Sequence, residues 1–342
     1  MEEKEKKLHE HHHIKVDAGQ SPCRIDQFLV ARLPMTTRMK VQRAIRQQGV
    51  YVGEKVIKCS YKVQPGDEIR ILLPKPPPIS QQVVPEDLPL DIVYEDDDVL
   101  LVNKAADMVV HPGVGNTSGT LVNAVLHHVQ NLPFAPGNDF RPGLVHRIDL
   151  GTTGLVLLGK RELALQLLAK QFAERTIKRH YIALVWGDLS SDKGTINLPL
   201  APSRRDFRII MGCAPDTSLG KHAVTHYKVL ERLGYVTLVS CRLETGRKHQ
   251  IRAHFRHIGH PLFGDPKYGG DEVVKGQRFS KYKTFVENSF RLHPYQFLHA
   301  ATLAFVHPTT QKEMAFKAPL PDPLAHILQR WQRYVGAIQH RM

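Results

Sequence analysis

The chain has few residues of the kinds that mark secreted, disulfide-rich or membrane proteins. Its four cysteines, at positions 23, 59, 213 and 241, lack the paired spacing of disulfide frameworks and zinc sites. No apolar run approaches the roughly 20 residues that span a bilayer, and the charged start MEEKEKK lacks a signal-peptide core. These absences predict a cytoplasmic protein with reduced thiols and no membrane partner.

Acidic residues are scarce relative to basic ones. The chain has 47 Lys and Arg against 33 Asp and Glu, for a formal net charge of +14. Such a surplus favours a polyanionic partner, because basic side chains contact phosphates and release counterions. The charge does not by itself separate RNA from DNA or from an acidic membrane surface. No glycine-rich phosphate loop and no internal repeat is present.

The N-terminal part predicts a tail followed by a small basic domain. Residues 1–14 are charged and histidine-rich, which predicts a disordered tail, with metal binding by the histidines as the alternative. In residues 15–73, RIDQFLVARL and MKVQRAIRQQG repeat apolar residues at helical spacing, and the following stretch alternates like short strands. This segment resembles the alpha-L RNA-binding module of a small-subunit ribosomal protein. The resemblance favours RNA binding over a merely solvated helix face for four basic residues: Arg38, Lys40, Arg43 and Arg46.

A proline-rich stretch separates the basic segment from the rest of the chain. PKPPPISQQVVP, residues 74–85, is typical of a semi-rigid extended linker. We therefore predict a linker over residues 74–88 and a second, larger domain over residues 89–342.

The second domain is predicted to be α+β, with a mixed and largely antiparallel sheet. Strands follow one another with helices inserted, which argues against a doubly wound parallel sheet. The predicted strands are 91–94, 99–103, 154–158, 181–186, 195–198, 223–230, 235–243 and 297–305. The predicted helices are 121–129, 162–174, 249–257 and 324–336.

The stretch RPGLVHRIDLGTTGL, Arg141 to Leu155, is the most informative part of this domain. It places Asp149 after a His-Arg-Ile run and before a Gly-Thr-Thr-Gly turn that leads into an apolar strand. A carboxylate at the edge of a buried sheet can act on a bound substrate. An Asx-turn that closes a loop is the alternative for a lone Asp near glycine.

This stretch resembles the catalytic motif of the pseudouridine synthases of the ribosomal large-subunit (A-type) family. Further segments are similar to the family's other blocks in the expected order, and together they cover most of residues 90–325. They are VNKAADMVVHPGVGNTSGTLVNAVLHH, RHYIALVWG, LETGRKHQIRAHFRHIGHPLFGDPKYGG and FLHAATLAFVHPTT. Where the family usually reads Lys-Pro-Ala-Gly, this chain has Lys104-Ala105-Ala106-Asp107, a departure in a turn before the site. The HPGVGN run most resembles the D-type synthases of 23S rRNA.

The resemblance implies an enzyme that isomerises specific uridines of large-subunit ribosomal RNA without a cofactor or metal. It implies Asp149 as the catalytic residue and Arg252 as its basic partner. Arg147 is implied to fill the stack that the everted base leaves, Tyr181 to offer the base a flat face, and Ile251 to pack beneath it. Whether the carboxylate attacks the sugar or carbon 6 of the ring stays open.

Several alternatives accompany this reading. The chain could instead be a catalytically inactive RNA-binding factor in ribosome assembly, although its intact acid favours the enzyme. A metal site on His254, His257 and His260 lacks an acidic or cysteine ligand, and His146 is interpreted as structural. The remaining basic residues are predicted to line a phosphate track on a monomeric protein: Lys248, Arg252, Arg256, Arg204, Arg205 and Arg208.

Overall fold

The computed structural model describes residues 8–33, 36, 38–74, 83–113, 116–134, 141–203, 209–212, 220–277 and 279–339. The chain forms two compact units, one reaching to Gln82 and one beginning at Val83. Both combine helices with antiparallel strands, so the predicted α+β class is confirmed.

The N-terminal unit packs two helices on a four-stranded antiparallel sheet of order β1-β4-β2-β3. Its elements are β1 (Leu8–Lys15), α1 (Ile25–Arg32), α2 (Arg38–Arg46), β2 (Val50–Val52), β3 (Lys55–Val56) and β4 (Glu68–Pro74). The apolar residues that recur at helical spacing lie in one buried cluster with the strands. That cluster includes Ile25, Phe28, Leu29, Val41, Ile45, Val50, Ile69 and Ile71.

The prediction of a disordered tail is wrong for residues 8–14. These residues belong to β1, which pairs antiparallel with β4 from Leu8 opposite Pro74 to Lys15 opposite Glu68. The strand is held by backbone pairing along β4, and its histidine side chains at positions 11–13 face solvent. A strand recruited to a sheet edge needs no apolar pattern of its own, so its composition resembles that of a tail. Residues 1–7 lie outside the described residues.

The predicted linker is wrong at both ends. Pro74 ends β4, and Val83 is buried in the core of the C-terminal unit. Beyond Val83, the Asn123 amide donates to the Val84 carbonyl at 2.7 Å, and the Glu86 N–H donates to the Asn123 carbonyl at 3.0 Å. Residues 83–86 therefore belong to the larger unit, which begins before residue 89. Residues 75–82 lie outside the described residues.

A buried carboxylate fixes the two helices of the N-terminal unit. Asp26 in α1 is fully buried and accepts hydrogen bonds from Arg24, Arg38 and Gln42. The hydrogen bond from Arg24 holds the Asp26 pKa well below its usual range, although burial opposes this. An ionised, fully hydrogen-bonded carboxylate thus ties α1 to α2.

The C-terminal unit is built on one nine-stranded sheet with the path β5-β6-β7-β14-β8-β13-β12-β9, and β15 pairs with β14. Its strands are β5 (Ile92–Glu95), β6 (Val99–Lys104), β7 (Thr153–Gly159), β8 (Lys178–Trp186), β9 (Lys193–Asn197), β10 (Leu200–Pro202), β11 (Ile210–Gly212), β12 (Val224–Arg232), β13 (Val236–Leu243), β14 (Leu298–Val306) and β15 (Glu313–Lys317). The helices are α3 (Leu121–His128), α4 (Glu162–Glu174), α5 (Gln250–His257), α6 (Ser280–Leu292) and α7 (Asp322–Gln339). Strands β10 and β11 form a separate pair. Every predicted strand and helix of this unit is found within a few residues of its expected bounds.

The central strands are buried on both faces. In β7, Val156 and Leu158 pack with α3 and α5, whereas Leu155 and Leu157 enter a second cluster on the other face. Trp186 of β8 packs with α6 and α7. The sequence of a strand that is covered on both faces is a continuous apolar run, which explains the pattern Leu155–Leu158. The loops at the ends of these rigid strands can therefore be held in fixed positions.

Three strands and one helix of the C-terminal unit were not predicted. The helix is α6, although Tyr282, Phe285, Val286 and Ser289 follow helical spacing and Tyr282 and Val286 are buried. The strands β10, β11 and β15 are three to five residues long, too short to carry a clear period. None of the helices in the described ranges is long and apolar enough to cross a membrane.

Candidate active site

The loop before β7, the start of β8 and the N-terminal part of α5 enclose a cleft of about 470 Å³. Asp149 lines this cleft, and its side chain is 17% exposed. Arg147, Tyr181, Ile251, Arg252 and Lys248 line it as well, so six of the predicted site residues converge here.

The backbone around Asp149 is tightly held. The N–H of Gly151 donates to the Ala106 carbonyl at 2.8 Å, and the buried Gln296 amide donates to the Leu150 carbonyl at 2.7 Å. Gly151 has φ 79°, and a Cβ there would lie 2.7 Å from a side-chain carbon. Only glycine fits such a position without strain, which explains the glycine that follows the acid in the sequence.

Arg252 is a buried cation between two carboxylates. Its Nη1 lies 3.4 Å from Asp149 Oδ2, and its Nε and Nη2 donate to Asp265 at 2.7 and 2.8 Å. Its guanidinium also lies over the ring of Tyr268, 5.1 Å from the centroid. Burial lowers the Arg252 pKa, but the hydrogen bonds to Asp265 together with the charges of Asp265 and Asp149 outweigh burial and raise it. Arg252 is therefore a permanent positive charge held beside Asp149.

His249 is a second, neutral neighbour of the acid. Its Nε2 lies 3.9 Å from Asp149 Oδ1, and its Nδ1 is 2.9 Å from the Tyr268 hydroxyl. That hydroxyl accepts from the Ile210 N–H, so its own proton is available to Nδ1. Burial lowers the pKa of His249 to about 4, which keeps it uncharged near pH 7.

Lys104 was not predicted as a site residue. It is 1% exposed at the end of β6, and its Nζ donates to the carbonyls of Ala105 and Met108 at 2.6 and 2.7 Å. Burial lowers its pKa to about 7, and the negative charges of Asp149 and Asp107 oppose that shift. The sequence did contain a signal for it, because a lysine at the end of a buried strand needs nearby hydrogen-bond acceptors.

Tyr181 and Ile251 form an apolar wall of the cleft. Tyr181 on β8 is 6% exposed, and Ile251 on α5 is 4% exposed. Both belong to the main hydrophobic cluster of the unit and both line the cleft. Burial raises the Tyr181 pKa, so the phenol stays protonated. A flat ring and a branched aliphatic side chain suit a planar base.

Arg147 is exposed and rests on a histidine. Its Nη1 is 3.1 Å from Nε2 of His111, which is 8% exposed. Burial, together with the charges of Arg147 and Arg141, lowers the His111 pKa to about 4. A neutral His111 therefore accepts a hydrogen bond from Arg147.

The other histidines considered from the sequence hold structure. His146 accepts from the Leu157 N–H at 2.8 Å, and burial lowers its pKa to about 3, so it is no general base near pH 7. His254 bonds Thr225 and the Leu198 carbonyl, both on neighbouring segments. Within the described part of the chain, no three His, Cys, Asp or Glu side chains are grouped to hold a metal ion.

The predicted RNA-contacting residues that the structure describes are mostly exposed. Lys248 and Arg256 are exposed in the C-terminal unit, as are Arg43 and Arg46 in the N-terminal unit. Arg38 is half exposed and pairs with Asp26, with its Nε 3.0 Å from the carboxylate. The side chain of Lys40 and residues Arg204, Arg205 and Arg208 lie outside the described residues.

Known proteins resemble both units. The family described as RNA pseudouridylate synthase matches residues 98–257, and the S4 domain matches residues 23–69. An uncharacterized RNA pseudouridine synthase of Chlorobaculum parvum is 40% identical over 327 residues, 95% of this chain and 99% of that protein. The ribosomal large subunit pseudouridine synthase D of Nitrosomonas europaea is 41% identical over 308 residues, 90% of this chain and 83% of its own. Human RNA Pseudouridylate Synthase Domain Containing 1 superposes with a TM-score of 0.51 at 25% identity, covering 69% of this chain and 85% of that one.

Proposed function

This chain belongs to the RNA pseudouridine synthase family, and we propose that it converts specific uridines of 23S ribosomal RNA to pseudouridine through Asp149. The observation that carries the role of Asp149 is its setting: a partly exposed carboxylate inside a cleft, 3.4 Å from a buried arginine. The relative named for the large ribosomal subunit supports the choice of RNA.

The reaction is an isomerisation and needs no co-reactant. The bond between N1 of uracil and C1′ of ribose breaks, and a bond between C5 and C1′ forms. The proton on C5 is lost and N1 gains one, so atoms and electrons balance. Positive charge that develops at C1′ can be met by a carboxylate, as in glycoside cleavage. Attack at C6 of the ring needs the same ionised group.

In this proposal Arg252 supplies a permanent positive charge beside Asp149, with its Nη1 3.4 Å from Asp149 Oδ2. His249 is uncharged near pH 7 and adds no charge there. The wall formed by Tyr181 and Ile251 would receive the everted base, whose extraction from a helix costs a few kcal/mol. Arg147, exposed at the rim, would occupy the vacated stack.

The exposed basic residues would bind the RNA backbone. Lys248 follows the turn that borders the cleft, and Arg256 lies on the exposed side of α5. In the N-terminal unit, α2 presents Arg43 and Arg46 to solvent, and Asp26 orients Arg38. With Lys40, these residues form the predicted second RNA contact. A monomeric state and a cytoplasmic location stay predictions from the sequence.

Release of tritium from carbon 5 of uridine tests the role of Asp149. The probe is a 23S rRNA transcript made with [5-³H]uridine, incubated with wild type, Asp149→Asn or Asp271→Asn. Asp271 is exposed and does not line the cleft, so its variant controls for loss of a carboxylate. We expect release by wild type and Asp271→Asn, and none by Asp149→Asn. Equal release by all three proteins would show that Asp149 is not the catalytic acid.

A 16S rRNA transcript labelled in the same way tests the substrate. We expect label to be released from the 23S transcript only. Release from 16S rRNA at the same rate contradicts large-subunit specificity. If the wild type binds both transcripts and releases label from neither, the inactive assembly factor becomes the better description.

A further inference from the structure

A second cavity of about 290 Å³ lies beside the candidate active site. It is lined by Arg175 after α4, by the start of β8 and by the end of β13. Arg175, Arg179, Leu243 and Glu244 line both this cavity and the cleft that holds Asp149. The two spaces are therefore adjacent, and the second one is called the groove below.

Four cations face this cavity: Arg175, Lys178, Arg179 and Arg242. Among the described residues, one carboxylate, Glu244, lines the cavity as well. Its hydrogen bond with His226, at 2.6 Å, and the charges of Arg242 and Arg175 lower the pKa of Glu244. Four cations against this one carboxylate leave the groove with an excess of positive charge.

Arg179 adds a donor without an acceptor. Its guanidinium lies over the ring of Phe172, 5.1 Å from the centroid, and its Nε is buried with no hydrogen-bond partner among the described residues. Buried donors are normally satisfied, so an orphan in a concave basic surface indicates a ligand that supplies an acceptor. Phosphate oxygens are such acceptors, and arginine forks match their geometry.

We infer that the groove lined by Arg175, Lys178, Arg179 and Arg242 binds the phosphodiester backbone of the RNA strand as it leaves the target uridine. This inference rests on the proposed function, because the groove borders the cleft that would hold the base. The RNA on one side of the target uridine would then follow a fixed path along β8 and β13.

Salt dependence of RNA binding tests the groove. The double variant Lys178→Gln/Arg242→Gln removes two groove charges, both from exposed side chains outside the catalytic cleft. Lys281→Gln/Lys283→Gln removes two exposed charges from α6, which lines neither cavity, and matches the change in net charge. The Kd for a 23S rRNA transcript is measured by filter binding between 50 and 200 mM KCl.

The groove variant is expected to reduce the slope of log Kd against log salt by about 1.4, since each single-strand contact contributes roughly 0.7. Over this fourfold salt range, the ratio of the two end-point Kd values falls roughly sevenfold. A slope equal to that of the α6 control overturns the inference.

A neutral linkage in the RNA locates the contact. A synthetic fragment around a uridine that wild type modifies carries one methylphosphonate linkage at successive positions. Wild type is expected to lose affinity at one or two linkages beside the target, and the groove variant is expected to be insensitive there. Identical position profiles for both proteins overturn the inference. Inorganic phosphate that displaces the RNA from the groove as effectively as an unlabelled RNA fragment does also overturns it, because the groove would then be a free-anion site. Tritium release by wild type but not by Asp149→Asn shows independently whether the proposed function stands.

Discussion

Replacing Asp265 with asparagine is expected to destabilise the C-terminal unit and to slow the reaction, although Asp265 does not line the cleft. Asp265 is fully buried and accepts two hydrogen bonds from Arg252, at 2.7 and 2.8 Å. Removing its charge leaves Arg252, 3% exposed, with only the more distant Asp149. Breaking one side of a buried ion pair costs about 3–5 kcal/mol. For a unit of this size, each kcal/mol lowers Tm by roughly 2–4 °C.

Tryptophan fluorescence during urea unfolding measures this loss directly. The chain has two tryptophans, Trp186 and Trp331, and both lie in the core of the C-terminal unit. The signal therefore reports on the unit that contains Asp265 and Arg252. Asp271→Asn, at an exposed carboxylate, is the matched control and is expected to change the free energy of unfolding by less than about 0.5 kcal/mol.

A double-mutant cycle separates the pair from its surroundings. Arg252→Met also destabilises, because it removes the cationic partner of the buried Asp265 side chain. The double variant Asp265→Asn/Arg252→Met removes both charges, so it is expected to cost at least about 2 kcal/mol less than the sum of the single variants. Additive losses would refute the description of Arg252 and Asp265 as one coupled unit.

The kinetic consequence needs a separate measurement. With Asp265→Asn, Arg252 loses at least one of the two hydrogen bonds that orient it toward Asp149, because an amide has one acceptor oxygen. Such misplacement lowers kcat on the order of 10²-fold. Tritium release is measured well below the Tm, so that the variant is folded. A destabilised Asp265→Asn protein with wild-type kcat would show that Arg252 needs no positioning by Asp265.

Three further predictions concern stability. Asp26, whose pKa Arg24 lowers by hydrogen bonding, stabilises the N-terminal unit above its unfolded-state pKa of about 3.9 and loses this effect as pH falls. Asp26→Asn is expected to remove about 2 kcal/mol at pH 7, seen as roughly 30-fold faster hydrogen exchange in residues 25–46; unchanged exchange contradicts this. Gly154→Ala is expected to lower the free energy of unfolding by about 3 kcal/mol or more, because a Cβ there would lie 2.3 Å from a backbone oxygen of β14. Gly336→Ala in α7, where a Cβ meets open space, is expected to raise it by about 0.5–1 kcal/mol. Urea unfolding checks both signs. His146 has its pKa lowered to about 3 by burial, so its stabilising effect is complete above about pH 6.5 and declines as pH falls. His146→Gln should flatten that decline, and an unaltered pH profile would exclude His146 as its source.

Elements with a clear period could be predicted from the sequence. The apolar runs of β7 and β8 and the spacing in α3 and α4 gave strands and helices within a few residues of those observed. Strand β1 could not be predicted, because its position depends on an edge of β4 that lies 53 to 66 residues away in sequence. Backbone pairing at a sheet edge leaves little trace in the composition of the added strand.

The site could be predicted only in part. Asp149 and Arg252 are 103 residues apart, and no local pattern indicates their contact, so their pairing rested on the family resemblance. Asp265 and His249 were missed because their roles follow from where α5 and the chain after it pack. Their side chains complete hydrogen bonds to Arg252 and Tyr268, which only the folded unit brings together.

The contrast between Arg252 and Arg147 fits the two tasks proposed for them. Arg252 is buried and donates two hydrogen bonds to a carboxylate, so its geometry is set before RNA binds. Moving it would leave charges unpaired. Arg147 is exposed and bonds a neutral histidine, an interaction worth only about 1–3 kcal/mol. Eversion of a base already costs a few kcal/mol. A side chain that must enter the stack therefore has to leave its contacts in the free protein at a small cost in free energy. A neutral His111 meets that requirement because it holds Arg147 in the free protein without opposing its release.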